Sequence, residues 1–200
     1  MTERPILFSA PMVRAILEGR KTQTRRVVKL PHNNPLGRWE PTTVGGPNGG
    51  KTHKGETVPE CAAIWHTRTG DCVCARYEVG DRLWVRETFY LIGETGECFY
   101  AATGDSNMPP ATFGGWRGPW KPSIFMPRRH SRITLEVTGV RVERLQEISE
   151  ADAAAEGVYT DPACPAYDAY RVLWDQINAK RAPWASNPWV WVIEFKRVTP

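Results

Sequence analysis

The chain has 200 residues, 41% of them hydrophobic and 24% charged, with a net charge of +4. That length supports one domain with its own core, in the composition range of ordinary soluble globular proteins, and the small positive excess admits an anionic partner without requiring one. Five cysteines make no disulfide framework, no apolar run approaches the roughly 20 residues of a membrane span, and no basic segment leads into an apolar one at the N-terminus, so the expected setting is a reducing cytoplasm without a membrane partner.

Residues 4–8 read as a short strand. Ser9 and Pro11 then suit the N-cap and an early position of a helix. Met12, Val13, Ile16 and Leu17 recur at helical spacing, and Gly19 suits the position just past the helix end. Residues 22–28 have β character, with Thr22, Thr24 and Arg26 on one face and Gln23, Arg25 and Val27 on the other. Residues 31–79 carry Pro, Gly and Asn turn chemistry and little periodicity, and read as an insertion in which 62–65 and 73–76 add short strands. An alternating strand spans 82–88, a short one spans 98–102, and residues 103–123 form a second Gly/Pro/Trp-rich loop insertion.

Residues 132–142 alternate again, with Gly139 marking a bulge or bend. Ser149 opens an alanine-rich helix, with Asp152 in a near capping box and Gly157 as the stop. A further helix covers roughly residues 166–178 and sets Tyr170, Leu173, Trp174 and Ile177 on one face. Residues 189–198 form the closing strand, and their near-continuous apolar start predicts a central position buried on both faces. The sum is a single α+β domain, a small β-barrel or strongly curved sheet with about three helices and insertions at about 31–79 and 103–123.

Five groupings of residues bear on chemistry. Lys21 and Thr24 place an amine and a hydroxyl at a helix–strand junction, flanked by Arg20 and Arg26. Lysine changes its pKa on burial and then serves as base or nucleophile; the plainer reading is a solvated basic edge. Glu156 lies in the last turn of its helix, at the negative end of the dipole, which calls for a compensating cation or simply a tolerated small cost. Arg128, Arg129 and His130, with Arg132, form either a phosphate clamp or surface charge paired with the chain's own carboxylates. His53, Cys61, His66, Cys72 and Cys74 lack zinc-knuckle spacing, since a single residue separates Cys72 from Cys74, and read as ordinary buried or free side chains, the alternative being a structural metal that orders the insertion. Trp116 and Trp120 stack bases or pack beneath their loop.

Four segments together resemble the ASCH family: Gly19-Arg20-Lys21-Thr22-Gln23-Thr24-Arg25-Arg26, Gly80-Asp81-Arg82-Leu83-Trp84-Val85, the run from Ile148 to Gly157, and Trp191-Val192-Ile193-Glu194-Phe195. They fall in the family's order along nearly the whole chain. Pro5-Ile6-Leu7-Phe8-Ser9-Ala10-Pro11-Met12 is similar to the phage and prophage branch. The resemblance implies a PUA-like β-barrel with a pocket for a modified nucleoside or nucleic acid, RNA ahead of DNA. In one ASCH branch a Lys, a Thr and a Glu deacetylate N(4)-acetylcytidine; the matching motif places these on Lys21, Thr24 and Glu156. Arg20, Arg26, Arg128, Arg129, His130, Trp116 and Trp120 would then bind substrate or nucleic acid, and no cofactor is implied. The alternatives are a non-catalytic module binding RNA or modified DNA, and a metal-independent ribonuclease. This chain is about twice the length of the compact amidohydrolases, so its insertions bear on the substrate.

Overall fold

Strand β1 (Glu3–Leu7) leads through Phe8 and Ser9 into helix α1 (Ala10–Leu17). In this computed structural model the described residues are 2–46, 51, 53–91, 97–104, 120–159 and 163–198. Ser9 takes the extended backbone of an N-cap, with ψ near 159°, but its hydroxyl caps no backbone N–H. Val13, Ala15 and Ile16 form the buried face of α1. Gly19 adopts φ of 75°, the left-handed conformation that ends helices cheaply when the residue has no Cβ.

The chain then enters β2 (Gln23–Val27) and continues through β3 (Trp39–Val44), β4 (Cys61–His66) and β5 (Cys72–Cys74). After these come β6 (Arg82–Arg86), β7 (Phe89–Leu91), β8 (Cys98–Tyr100) and the long β9 (Thr134–Arg144). Helices α2 (Glu150–Ala155) and α3 (Ala166–Asn178) precede the closing strand β10 (Trp189–Val198). The fold is a small α+β one, built on a five-stranded sheet of order β1-β6-β9-β10-β2. β1 pairs with β6 in parallel, and the other pairings are antiparallel.

No sheet among the described residues closes into a barrel. β1 and β2 are the two edges of the main sheet, and no backbone pairing joins them. A side chain spans the gap instead: Arg26 Nη2 donates to the Leu7 carbonyl at 2.8 Å.

β10 lies between β9 and β2, and its two faces enter different cores. Trp191, Ile193 and Phe195 pack with Ile6, Phe8, Val13, Leu83, Leu135 and Val137. Val190 and Val192 pack with Ala153, Tyr170, Trp174 and Trp184 under the helices. The continuous apolar run therefore reflects burial on both sides. The bend at Gly139 is a β-bulge: Glu194 pairs with Gly139 and Phe195 with Val137, leaving Thr138 unopposed. A Cβ on Gly139 would lie 2.7 Å from Glu194 Oε2.

Several expectations need correction. In residues 31–79 the strands expected at 62–65 and 73–76 are β4 and β5, and the unforeseen β3 joins them in a three-stranded antiparallel sheet, β3-β4-β5. Pro41 and the threonines of β3 hide its alternation, yet an edge strand tolerates a proline. Trp39 and Ile64 from this sheet join the main core, so the unit is built into the domain. β7 is a further strand beside β8. Ile177 does not share the burial of Tyr170 and Trp174; it is 64% exposed, at the last turn of α3. Most of residues 103–123 lie outside the described residues.

Candidate active site

Two helix ends and one strand entrance meet at residues 19–24. The backbone N–H groups of Arg20 and Lys21 both donate to Ala15 O, at 2.9 and 3.0 Å. Thr22 N donates to Ala155 O at 2.9 Å, and Phe195 N donates to Thr22 O at 2.8 Å. Lys21 and Glu156 form an isolated antiparallel bridge. The C-termini of α1 and α2 and the entry to β2 are thereby tied together, and that tie positions the site.

Lys21 Nζ donates to Glu156 Oε2 at 2.9 Å and to the Glu156 carbonyl at 2.7 Å. The pair is buried, with side-chain exposures of 3% and 4%. Glu156 caps the C-terminal end of α2, where a carboxylate opposes the dipole, and two cations offset this. The second is Arg25, whose Nη1 donates to Glu156 Oε1 at 3.1 Å. Arg25 is fully buried and also contacts Glu143 and Asp152 Oδ2, the latter at 3.5 Å. Burial lowers the Lys21 pKa below its ordinary 10.5, while the Glu156 carboxylate opposes that shift. The amine is thus pushed towards its neutral form, in which it can accept a proton.

A cavity of about 230 Å³ opens here. Lys21, Thr24, Arg25, Arg26 and Glu156 form its polar side, and Phe8, Met12, Tyr170, Leu173 and Trp174 its apolar side. Lys21 Nζ lies 5.5 Å from the Phe8 ring centroid, and the Arg26 guanidinium lies at the same distance, 5.5 Å. Thr24 is 5% exposed, and its hydroxyl has no hydrogen-bond partner among the described residues.

No family model, curated protein or solved structure matches the chain.

The structure brings together four of the ten residues singled out from the sequence: Lys21, Thr24, Glu156 and Arg26. Arg20 faces a neighbouring hollow, where its Nη1 donates to Gly157 O at 3.0 Å and its Nε to Glu18 Oε2 at 2.8 Å. Arg128, Arg129 and His130 are elsewhere. Arg128 is paired with Glu3 through Nε and Nη2, at 3.1 and 3.0 Å, and lines a separate depression with Arg82 and Arg132. Arg132 makes a bidentate pair with the buried Glu87, at 2.9 and 3.0 Å. Arg129 Nε points to the His130 ring at 3.1 Å. The expected clamp is thus largely engaged with the chain's own groups. Trp120 packs edge-on against Tyr90, with centroids 6.4 Å apart, and does not line the cavity. Trp116 lies outside the described residues.

The histidine and cysteine group does not gather. Among the described residues no three His, Cys, Asp or Glu side chains are placed to hold a metal. His66 is fully buried with both ring nitrogens engaged, by Asn34 O and Thr69 N, each at 3.2 Å. No helix among the described residues is long and apolar enough to cross a membrane.

Arg25, Phe8 and Tyr170 are the members of this site that sequence reasoning does not reach. For Arg25 a signal exists: it shares a strand face with Val27, so it heads inward and needs an anion. Phe8 and Tyr170 are indistinguishable from core aromatics by spacing.

Gly157 guards the geometry. Its φ is 82°, and a Cβ there would lie 2.7 Å from Lys21 Cβ and 2.8 Å from Ala15 Cβ. Gly157→Ala is expected to cost upwards of about 1–2 kcal/mol from the left-handed backbone alone. Thermal unfolding of the variant beside the parent checks this.

Proposed function

We propose that this cavity is the active site of an amide-cleaving deacylase of modified pyrimidine nucleosides, with N(4)-acetylcytidine as the leading substrate. The observation that carries the proposal is the convergence of a buried Lys21–Glu156 pair and the unbonded hydroxyl of Thr24 on one half-apolar cavity. The ASCH resemblance supports it, since the same three residues fall on that family's Lys, Thr and Glu. In this reading the five-stranded sheet with its Arg26 bridge is the counterpart of the PUA-like barrel. Ligand pockets usually span about 300–1,000 Å³, so a cavity of about 230 Å³ suits one base or nucleoside and not a strand of nucleic acid.

The chemistry follows from the contacts. A neutral Lys21 amine has two N–H groups and one lone pair. Its two recorded acceptors, Glu156 Oε2 and O, occupy the N–H groups and leave the lone pair free. Thr24 Oγ attacks the acyl carbon while its proton passes through one bridging water to that lone pair. The tetrahedral adduct collapses, its C–N bond breaks, and the Lys21 proton goes to the departing exocyclic nitrogen. This leaves cytidine and an acyl ester on Thr24. A water molecule then gives a proton to Lys21 and adds to the ester carbon. The bond to Oγ breaks, Lys21 returns the proton to Oγ, and the acid departs as acetate plus a proton. Glu156 orients Lys21 throughout, and Arg25 orients Glu156.

The test is acetate release from N(4)-acetylcytidine by purified protein. Acetate and cytidine are expected in equal amounts, and Thr24→Val is expected to stop both. Saturable nucleoside binding without release would replace the enzyme by a recognition module. Release unchanged in Thr24→Val would remove the proposed nucleophile.

A further inference from the structure

Two buried residues that line the cavity, Thr24 and Tyr170, carry hydroxyls without a hydrogen-bond partner among the described residues. The reaction above uses one, Thr24. The other belongs to Tyr170, which is 4% exposed. Its ring is held by Trp174 and Trp184, with centroids at 6.2 and 6.3 Å, and the Arg25 guanidinium lies 6.0 Å from it. A buried tyrosine ordinarily directs its O–H to an acceptor in the protein. Here the acceptor is left to whatever occupies the cavity.

Acyl transfer builds negative charge on the acyl oxygen, and a preorganised donor aimed at that oxygen is commonly the largest single contribution to rate. Lys21 and Glu156 do not supply it: the Lys21 N–H groups are taken by Glu156, and Glu156 offers acceptors. Arg25 is spent on Glu143 and Glu156, Arg26 has its Nη2 held by Leu7 O, and Ser9 and Asn178, which also line the cavity, are less buried than Tyr170.

We infer that Tyr170 is a further catalytic residue of this site, its O–H donating to the acyl oxygen as charge develops there. The inference rests on the deacylase reading. Burial, reinforced by the Glu156 carboxylate, pushes the phenol well above its ordinary 10.0, so the donor keeps its proton through the working pH range. The donor moves no proton and breaks no bond; it holds the tetrahedral oxygen until the C–N bond breaks.

Tyr170→Phe tests this, because it keeps the ring and removes one unbonded hydroxyl. Loss of a single oxyanion donor lowers kcat by about 10²–10³-fold, so a fall of that size is expected with KM within about twofold of the parent. The melting temperature is expected to hold or rise, since no protein hydrogen bond is lost. A kcat within about threefold of the parent overturns the inference, as does an equal loss traced to lower stability or to KM alone. A loss of that size in Arg26→Gln with Tyr170→Phe unaffected also overturns it, by moving the role to Arg26. If Tyr170→Phe is fully active, only the donor assignment falls. If the parent releases no acetate, the deacylase reading falls and the donor role falls with it.

Discussion

Glu156→Ala is expected to lower stability by about 3–5 kcal/mol, the range for removing one partner of a buried ion pair. In a chain of this size that corresponds to a fall of about 6–20 °C in melting temperature. The substitution takes the carboxylate acceptor from two buried donors at once. Lys21 Nζ loses Oε2 at 2.9 Å and Arg25 Nη1 loses Oε1 at 3.1 Å. Neither can turn to solvent, since their side chains are 3% and 0% exposed. Arg25 keeps Glu143 and Asp152, and Lys21 keeps only the backbone carbonyl of residue 156.

Lys21→Met provides the contrast. It leaves Glu156 bonded to Arg25 and replaces a buried amine with an apolar chain of similar length, so its cost is expected to be the smaller of the two. Urea or thermal unfolding of both variants beside the parent gives the ordering. Equal stabilities for Glu156→Ala and the parent would mean that the carboxylate contributes nothing net, and the picture of Glu156 as a shared anchor would be wrong.

The Lys21–Glu156 pairing is legible in the sequence because it breaks a local rule. A carboxylate at the negative end of a helix needs a cation, and the one charged run with a lysine beside hydroxyls follows a helix stop. Arg25 is less legible: alternation gives its face, but its partners Glu143 and Glu156 lie 118 and 131 residues away along the chain. Tyr170 illustrates a different limit. Its spacing predicts core and its ring is core; what sets it apart is a hydroxyl without a partner, which is a property of tertiary placement.

The same distinction runs through the fold. Gly139 announces its bulge because a Cβ there would meet Glu194, and a glycine within an alternating strand carries that information locally. β3 announces little, because Pro41 interrupts it and its threonines, though strand formers, blur the apolar alternation, so its place beside β4 is set by pairing. The openness of the sheet is likewise non-local. It depends on whether β1 and β2 pair, and these strands are joined by a side chain of Arg26 instead.

Lys21→Met is expected to reduce deacylation by about 10²–10⁴-fold, the usual contribution of a positioned base, while the protein remains folded. The pH profile supplies the sharper check. A base must be unprotonated, so kcat/KM is expected to rise with pH along one ionisation and then level off. Burial lowers the Lys21 pKa, with Arg26 and Arg25 adding to the effect and Glu156 opposing it, so the midpoint of the rise is expected below the ordinary 10.5.

Stability follows the same ionisation. The folded pKa lies below the unfolded one, so between the two the unfolded chain binds more protons and stability rises with pH. Glu156→Gln separates the contributions. Removing the carboxylate charge takes away the influence that holds the pKa up, and the midpoint is expected to move further down. A midpoint that moves upward in Glu156→Gln, or activity that falls as Lys21 loses its proton, would mean that the charged ammonium is the working form. Lys21 would then act on the substrate as a cation, and the base for Thr24 would have to come from the solvent.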